Sequence, residues 1–122
     1  MSNLIVWMDI PAKDLSRAID FYNNVLNIDV VKQDLPEVSL GMFPSSDNGL
    51  SGCIYVDNQP IKNDVGPLLY FNVEGRHDDA VKKAVSFGGE VLKEKHSIGP
   101  YGYRTIVKDS EGNRIALHST AE

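Results

Sequence analysis

The sequence predicts an α+β fold of two tandem βαβββ modules, in which eight mixed strands curl around a cleft and two helices lie on the outside. One observation is a strand, a turn and an amphipathic helix in VWMDIPAKDLSRAIDFYNNVLNI, which starts at Val6. A similar phrase, LLYFNVEGRHDDAVKKAVSFGGEV, starts at Leu68. Three short strand candidates follow each helix. The two modules share little sequence identity, so the repeat rests on the order and spacing of its elements.

The length and charge of the chain suit a single domain without a nucleic-acid or membrane surface. Its 122 residues suffice for one core, and we expect a module over 3–57, a linker over 58–66 and a second module over 67–120. The net charge is −5, and the basic residues are dispersed rather than clustered. A single cysteine, Cys53, excludes an intramolecular disulfide. With no evident signal peptide or long apolar span, we expect a cytoplasmic protein.

The first module opens with an alternating strand over residues 4–10. One face carries the apolar residues Leu4, Val6, Met8 and Ile10, and the other carries Ile5, Trp7 and Asp9. We expect Pro11 to end this strand, because proline has no N–H to donate to a ladder.

A helix follows, and Asp14 is its predicted N-cap, since a carboxylate can accept from the amides of the first turn. Its apolar residues recur with the helical period: Leu15, Ala18, Ile19, Tyr22, Val25 and Leu26. The segments DVVKQ, VSLGMF and SGCIYV then read as three strands. LPE and the turn-rich PSSDNG separate them, which predicts an antiparallel meander. The polar segment DNQPIKNDVGP then joins the two modules.

The second module repeats this order. Its first strand places Leu69, Phe71 and Val73 on the apolar face. Its helix is predicted to have Asp78 as its cap, an apolar stripe and an end at Gly88–Gly89. That stripe consists of Val81, Ala84 and Val85. EVLKE, YRTIVK and RIALHS supply three more strands, and DSEGN forms a hairpin turn in which Gly112 is free to take a positive φ.

The strand faces turned away from the helices carry a mixture of aromatic and polar residues. In the first module these are Trp7, Asp9, Cys53 and Tyr55. In the second module they are Leu68, Tyr70, Asn72, Ala116 and His118. A concave, partly apolar surface with a few convergent polar groups is typical of a small-molecule site.

Each of these residues also has a purely structural interpretation. The aromatic residues equally suit packing within a sheet or a dimer, and Cys53 suits a small buried position. Asp9, so close to Pro11, also suits a simple turn residue at the strand end. His118 equally suits a solvated or structurally hydrogen-bonded position.

Besides the strand faces of the two modules, the segment HSIGPYGYR, residues 96–104, is a candidate part of the site. Glycine and proline make it turn-rich, and loops at the mouth of a cleft often carry function. Tyr101, Tyr103 and Arg104 are predicted to close over a ligand, with the guanidinium suited to a carboxylate. The alternative is a simple hairpin connection.

Three phrases, DLSRAIDFYNNVLNI, SIGPYGY and DSEGNRIALHS, resemble those of the vicinal oxygen chelate superfamily. This superfamily includes glyoxalase I, extradiol dioxygenases and bleomycin-resistance proteins, and the phrases are most similar to its small bacterial glyoxalase-related branch. The resemblance covers nearly the whole chain. It implies that each module forms a half-barrel and that the concave faces meet in a cleft. It also implies a homodimer in which the cleft is made or completed at the interface.

The resemblance further implies where a metal would bind. In metal-dependent members, four ligands project from the first and last strands of the two modules. Matching by the motifs puts Trp7, Leu68 and Ala116 at three of these positions and the fourth near Cys53. Tryptophan, leucine and alanine offer no group that coordinates a divalent ion, so we expect no metal and no other cofactor. The alternative is a shifted two-ligand site built from Asp9 and His118, each two residues further along its strand than a matched position.

Three functions follow from these residues. The first is metal-independent binding of a small, partly aromatic ligand, for which bleomycin-resistance proteins are the precedent within the superfamily. The second is a metal-free isomerase or lyase with His118 as general base, Asp9 as its orienting partner, and Tyr70 or Tyr101 polarising an oxygen. The third is a metal-dependent glyoxalase-type lyase or dioxygenase, which the matched positions oppose.

Overall fold

The computed structural model describes residues 4–45, 51–62 and 65–122. The first residue of the expected first module, most of the predicted PSSDNG turn, and residues 63–64 of the expected linker lie outside these ranges. The elements in chain order are β1 (Trp7–Ala12), α1 (Leu15–Leu26), β2 (Val31–Asp34), β3 (Ser39–Met42), β4 (Ser51–Val56), β5 (Leu69–Asn72), α2 (His77–Ser86), β6 (Glu90–Ser97), a 3₁₀ turn (Gly99–Tyr101), β7 (Tyr103–Lys108) and β8 (Arg114–Ser119). Neither helix of the described ranges is long and apolar enough to cross a membrane.

The strands form two four-stranded mixed sheets with the same internal order. The first sheet runs β1-β4-β3-β2 and the second β5-β8-β7-β6. In each sheet the strand before the helix pairs in parallel with the last strand of its module, and the remaining pairs are antiparallel. The predicted α+β class, the tandem βαβββ order and the antiparallel meander are therefore confirmed. In the described residues no ladder joins the two sheets, so the eight strands do not form a closed barrel.

Helix α1 begins and ends where its sequence allows. The side chain of Asp14 accepts a hydrogen bond of 3.1 Å from the backbone amide of Arg17, which confirms the predicted cap. The helix ends at Asn27, whose φ of 55° is in the left-handed region that asparagine tolerates. Its buried residues are Ala18, Phe21, Tyr22 and Val25. The predicted stripe omitted Phe21, whose ring packs edge-on against that of Tyr22 at 5.0 Å and widens the buried face.

Strand β1 differs from its prediction at both ends. It begins at Trp7, so Leu4 and Val6 precede the strand and are exposed. It also continues through Pro11 to Ala12. The carbonyl of Pro11 accepts from the Asn113 side chain at 2.8 Å rather than from β4. In a strand, the N and the C=O of one residue point to the same side, so the missing N–H of proline costs β1 no ladder bond.

Helix α2 also differs from its prediction. It begins after Arg76, so Asp78 lies in its first turn rather than at the cap, and it forms an ion pair of 2.9 Å with Lys95. The buried residues are His77, Ala80 and Ala84, whereas Val85 of the predicted stripe is 53% exposed. Both alanines are fully buried in the core, and α2 packs against α1. The predicted stop is confirmed by Gly88, which has a φ of 100°.

The DSEGN hairpin turn attaches the second module to the first. Gly112 takes a φ of 106°, as predicted. The Tyr22 hydroxyl donates to the buried carboxylate of Asp109 at 2.5 Å. The carboxylate of Glu111 accepts from the backbone amides of Lys13 and Asp14, each at 2.8 Å, and therefore fixes the chain where α1 begins.

Candidate functional site

The predicted residues of the first module lie on one face of the first sheet. Asp9 is directly opposite Cys53 in the ladder, and Pro11 is opposite Tyr55. One oxygen of the Asp9 carboxylate accepts from the indole N–H of Trp7 at 2.8 Å and from the Cys53 thiol at 3.3 Å. Burial, and then the bond to Asp9, raise the pKa of Cys53, so the thiol stays protonated near neutral pH. This face is a self-satisfied polar cluster with no thiolate nucleophile.

The second sheet carries a row of polar residues across all four of its strands. The ladder places Asn72 opposite His118, His118 opposite Arg104, and Arg104 opposite His96. Directly opposite residues share a face, so the row lies on one side of the sheet. Tyr70 lies on the same face, opposite the buried Ala116. The small side chain of Ala116 therefore adjoins the aromatic ring rather than contributing a polar group.

Part of this row lines a pocket of about 460 Å³. Its lining residues are Tyr70, Ile98, Tyr101, Arg104 and His118. The 3₁₀ turn supplies Tyr101, and Gly102 follows it with a φ of 103°. The imidazole of His118 is fixed by its Nε2, which donates to the carbonyl of Tyr101 at 2.6 Å and so carries a proton. The predicted loop and the predicted strand residues thus meet at one site.

Other predicted residues lie outside this pocket. Tyr103 lies beside Arg104 in β7, so strand alternation turns it to the opposite face. Asn72 accepts from the backbone amide of Glu74 at 2.8 Å and lines a separate pocket of about 270 Å³. Leu68 is half-buried immediately before β5.

Sequence reasoning missed two residues of this site. Ile98 lies in the predicted loop, and its apolar side chain between Ser97 and Gly99 was the available signal. His96, at the start of the predicted loop, instead lies in β6, where its ring bonds to Arg104. Its position is set by the ladder opposite Arg104, and β6 contains register shifts that no strand pattern indicates.

The structure does not bring the predicted acid–base pair together. Asp9 is bonded within the first sheet, and it lines a different pocket, of about 210 Å³, with Arg114 among its neighbours. His118 is bonded to the Tyr101 carbonyl in the second sheet. No hydrogen bond joins Asp9 to His118 in the described part of the chain.

The residues at the matched metal positions do not fit a divalent ion. Trp7 uses its only polar atom to donate to Asp9, and Ala116 is buried with no donor atom. The Cys53 sulfur holds a proton that it shares with Asp9. Across residues 4–45, 51–62 and 65–122, no three histidine, cysteine, aspartate or glutamate side chains form a group able to hold a metal ion.

Solved structures share this fold at low sequence identity. A glyoxalase/bleomycin resistance protein from Albidiferax ferrireducens T118 is similar with a TM-score of 0.76 and 18% identity, over 96% of this chain and 98% of that chain. A glyoxalase-related enzyme from Fulvimarina pelagi is similar with a TM-score of 0.70 and 17% identity, over 97% of this chain and 88% of that chain. The fosfomycin resistance protein FosX from Listeria monocytogenes is similar with a TM-score of 0.73 and 18% identity, over 98% of this chain and 94% of that chain.

Comparison with curated proteins yields no match. A family model, however, matches residues 4–117, almost the entire chain. This chain belongs to the Glyoxalase/Bleomycin resistance protein/Dioxygenase superfamily.

Proposed function

We propose that this protein binds a small, partly aromatic organic ligand without a metal, in the pocket of the second sheet. The observation that carries the proposal is the meeting of Tyr70, Tyr101, Arg104 and His118 around one cavity of about 460 Å³. That volume is within the roughly 300–1,000 Å³ typical of small-molecule pockets.

The aromatic side chains of the pocket are accessible rather than packed. Tyr70 is 48% exposed and Tyr101 is 73% exposed. Tyr70 meets the ring of His118 edge-on, with centroids 6.0 Å apart, so these rings form one wall. A planar ligand would cover these surfaces and gain both apolar burial and ring contacts.

Metal independence is supported by the side chains at the matched ligand positions. Trp7, Leu68 and Ala116 lack metal-binding groups, and the Asp9 carboxylate beside Trp7 is already bonded to the Trp7 indole and the Cys53 thiol. Binding without chemical conversion is supported by the separation of Asp9 from His118, because the Asp9 carboxylate then does not stabilise the imidazolium that His118 would become as a general base. Bleomycin-resistance proteins give a precedent within the superfamily for sequestration without reaction.

A second copy of the chain is also part of the proposal. On the first sheet, the Trp7 side chain is 45% exposed beside the buried Cys53. Pairing with another copy would cover this aromatic surface. Sedimentation equilibrium is expected to give twice the mass of the chain, and a monomer at micromolar concentration would contradict this part.

The metal and the ligand are tested separately. Elemental analysis of untagged protein is expected to find far less than one metal per chain, and Zn²⁺, Ni²⁺ or Fe²⁺ should not raise the melting temperature reversibly. Near-stoichiometric metal, or a shift that a chelator reverses, would overturn metal independence.

Binding is tested by NMR titration with 2-naphthol, 2-naphthamide and 2-naphthoate. Saturable shifts are expected around Ile98, Tyr101 and His118. Tyr101→Ala should weaken binding by about tenfold, because it removes an exposed stacking surface without opening the core. Tyr55→Ala on the first sheet is the matched control and should leave the affinity for these compounds unchanged. Absence of saturable binding, or equal effects of the two variants, would refute the site.

A further inference from the structure

The polar row of the second sheet has a cation at its centre. Arg104 lies between His118 and His96 in the ladder, and it also lines the pocket. A half-buried arginine beside a cavity is stabilised by acceptors around it, so its partners indicate what the cavity receives.

Two neighbours fix the orientation of the guanidinium. The Nε of Arg104 donates to Nε2 of His96 at 3.0 Å. That nitrogen must therefore be unprotonated, and the remaining Nδ1–H of His96 donates to the carbonyl of Glu94 at 2.8 Å. One Nη1 proton of Arg104 goes to the Tyr70 hydroxyl. Both partners are neutral, so they hold the guanidinium in place without neutralising its charge.

The charge of Arg104 has no carboxylate partner in the described ranges. Arg17 pairs with Glu111 and Arg76 pairs with Asp79, each within 4 Å, but Arg104 forms no such ion pair. Of its five N–H groups, three have no acceptor in the described part of the chain. The hydroxyl of Tyr70, which accepts from Arg104, keeps its own proton to donate. A pre-oriented cation with unused donors is the arrangement that binds a carboxylate through two parallel bonds.

We propose that the ligand of this pocket is an aromatic carboxylate, whose anionic group is bound by Arg104 and Tyr70 and whose ring lies against Tyr70 and Tyr101. This inference rests on the proposed function of the pocket and adds the chemical class of its ligand. Nδ1 of His118 has no partner in the described residues and, as the acceptor nitrogen of the neutral ring, can accept a hydrogen bond from a hydroxyl or N–H group of the ligand.

The test compares 2-naphthoate with 2-naphthamide, which have nearly the same shape but differ in charge. Naphthoate is expected to bind at least about tenfold more tightly by calorimetry, because hydrogen bonds to charged groups are the stronger ones. Raising NaCl from 50 to 500 mM, roughly a threefold fall in screening length, should weaken the binding of naphthoate but not that of naphthamide.

Arg104→Gln should abolish the preference for naphthoate, and Arg104→Lys should keep only part of it, since an ammonium lacks the planar fork. Arg114→Gln is the matched control. Arg114 likewise forms no ion pair in the described ranges, but it lies at the other end of the β7–β8 ladder beside a different pocket. The Arg114→Gln variant should bind naphthoate and naphthamide with affinities within about twofold of wild type. NMR spectra of each variant would show that the fold is retained.

The outcomes separate the two proposals. If naphthamide binds in the pocket as tightly as naphthoate, or if Arg104→Gln binds naphthoate normally, the carboxylate inference fails while the pocket stands. If neither compound binds, the proposed function fails and the inference fails with it. If the salt response of the wild type is the same for both compounds, the anionic contact is refuted without reference to any variant.

Discussion

Glu111 offers the sharpest test of how the two modules are held together. Its side chain is fully buried, and its two oxygens accept from the guanidinium of Arg17 at 2.7 and 2.9 Å in addition to the amides at the start of α1. These bonds act on the charged carboxylate and outweigh the opposing effect of burial, so they lower the pKa of Glu111 from 4.5 to about 2. The perturbation is Glu111→Gln, which keeps the shape but removes the charge.

The magnitude follows from the pKa change. A carboxyl whose pKa is lower in the folded chain adds stability above its unfolded pKa and loses it as the pH falls toward the folded pKa. The fall from 4.5 to about 2, at about 1.36 kcal/mol per pH unit, corresponds to roughly 3 kcal/mol at neutral pH. At pH 3 most of this contribution is lost, and roughly 1 kcal/mol remains. Glu111→Gln should therefore lower the free energy of unfolding by about 3 kcal/mol at pH 7 and about 1 kcal/mol at pH 3.

Urea denaturation followed by circular dichroism at pH 7, 5, 4 and 3 measures this difference. Asp109, whose pKa burial raises, responds to pH in the opposite sense, but it is present in both proteins and largely cancels. Glu90→Gln is the control, because the Glu90 carboxylate is 60% exposed and 3.9 Å from Lys108. It should change stability by less than about 1 kcal/mol at every pH. A constant difference between wild type and Glu111→Gln from pH 7 to pH 3 would refute the reasoning.

Two further predictions concern the core and the loop. Tyr22→Phe removes the donor to the buried Asp109 and should lower the free energy of unfolding by about 1–3 kcal/mol in urea denaturation, so an unchanged midpoint would contradict a role for this bond. Gly102→Ala should destabilise the chain and weaken ligand binding, because φ is 103° and the new methyl would collide with the carbonyl of Ser119. Gly99→Ala, at a φ of 70° with no atom within 4 Å, is its control and should cost only the smaller backbone strain, about 1 kcal/mol in thermal unfolding. Equal losses of stability in the Gly102→Ala and Gly99→Ala variants would show that the collision with Ser119 does not determine the effect.

The candidate site was predictable in part because a strand alternates with a period of two. That rule placed Tyr70 and His118 on the face away from the helix, and Asp9 and Cys53 on the corresponding face of the first sheet. The same rule, applied across the end of the loop, would also have separated Tyr103 from Arg104. It gave no information on whether the two faces meet, because that depends on how the sheets pack.

Helix α2 shows why its prediction was less accurate than that of α1. The stripe of α1 is long, strongly apolar and preceded by a clear cap at Asp14. The buried face of α2 instead consists of two alanines and His77, whose ring nitrogens each lie 2.7 Å from a hydroxyl, of Ser119 and Thr105. Those hydroxyls are 42 and 28 residues away along the chain, so no local sequence pattern indicates that His77 is buried.

The sequence by itself determined the order of elements, the two modules and the residues available on each sheet face. Hydrophobic periodicity and turn chemistry are local, so they can be read from neighbouring residues. The tertiary structure alone decided which polar groups satisfy one another. It paired Asp9 with Trp7 and Cys53, attached Glu111 to the start of α1, and left the guanidinium of Arg104 oriented beside a pocket. These outcomes depend on ladder register and on contacts between residues distant in the chain, which hydrogen-bond geometry fixes only once the sheets have formed.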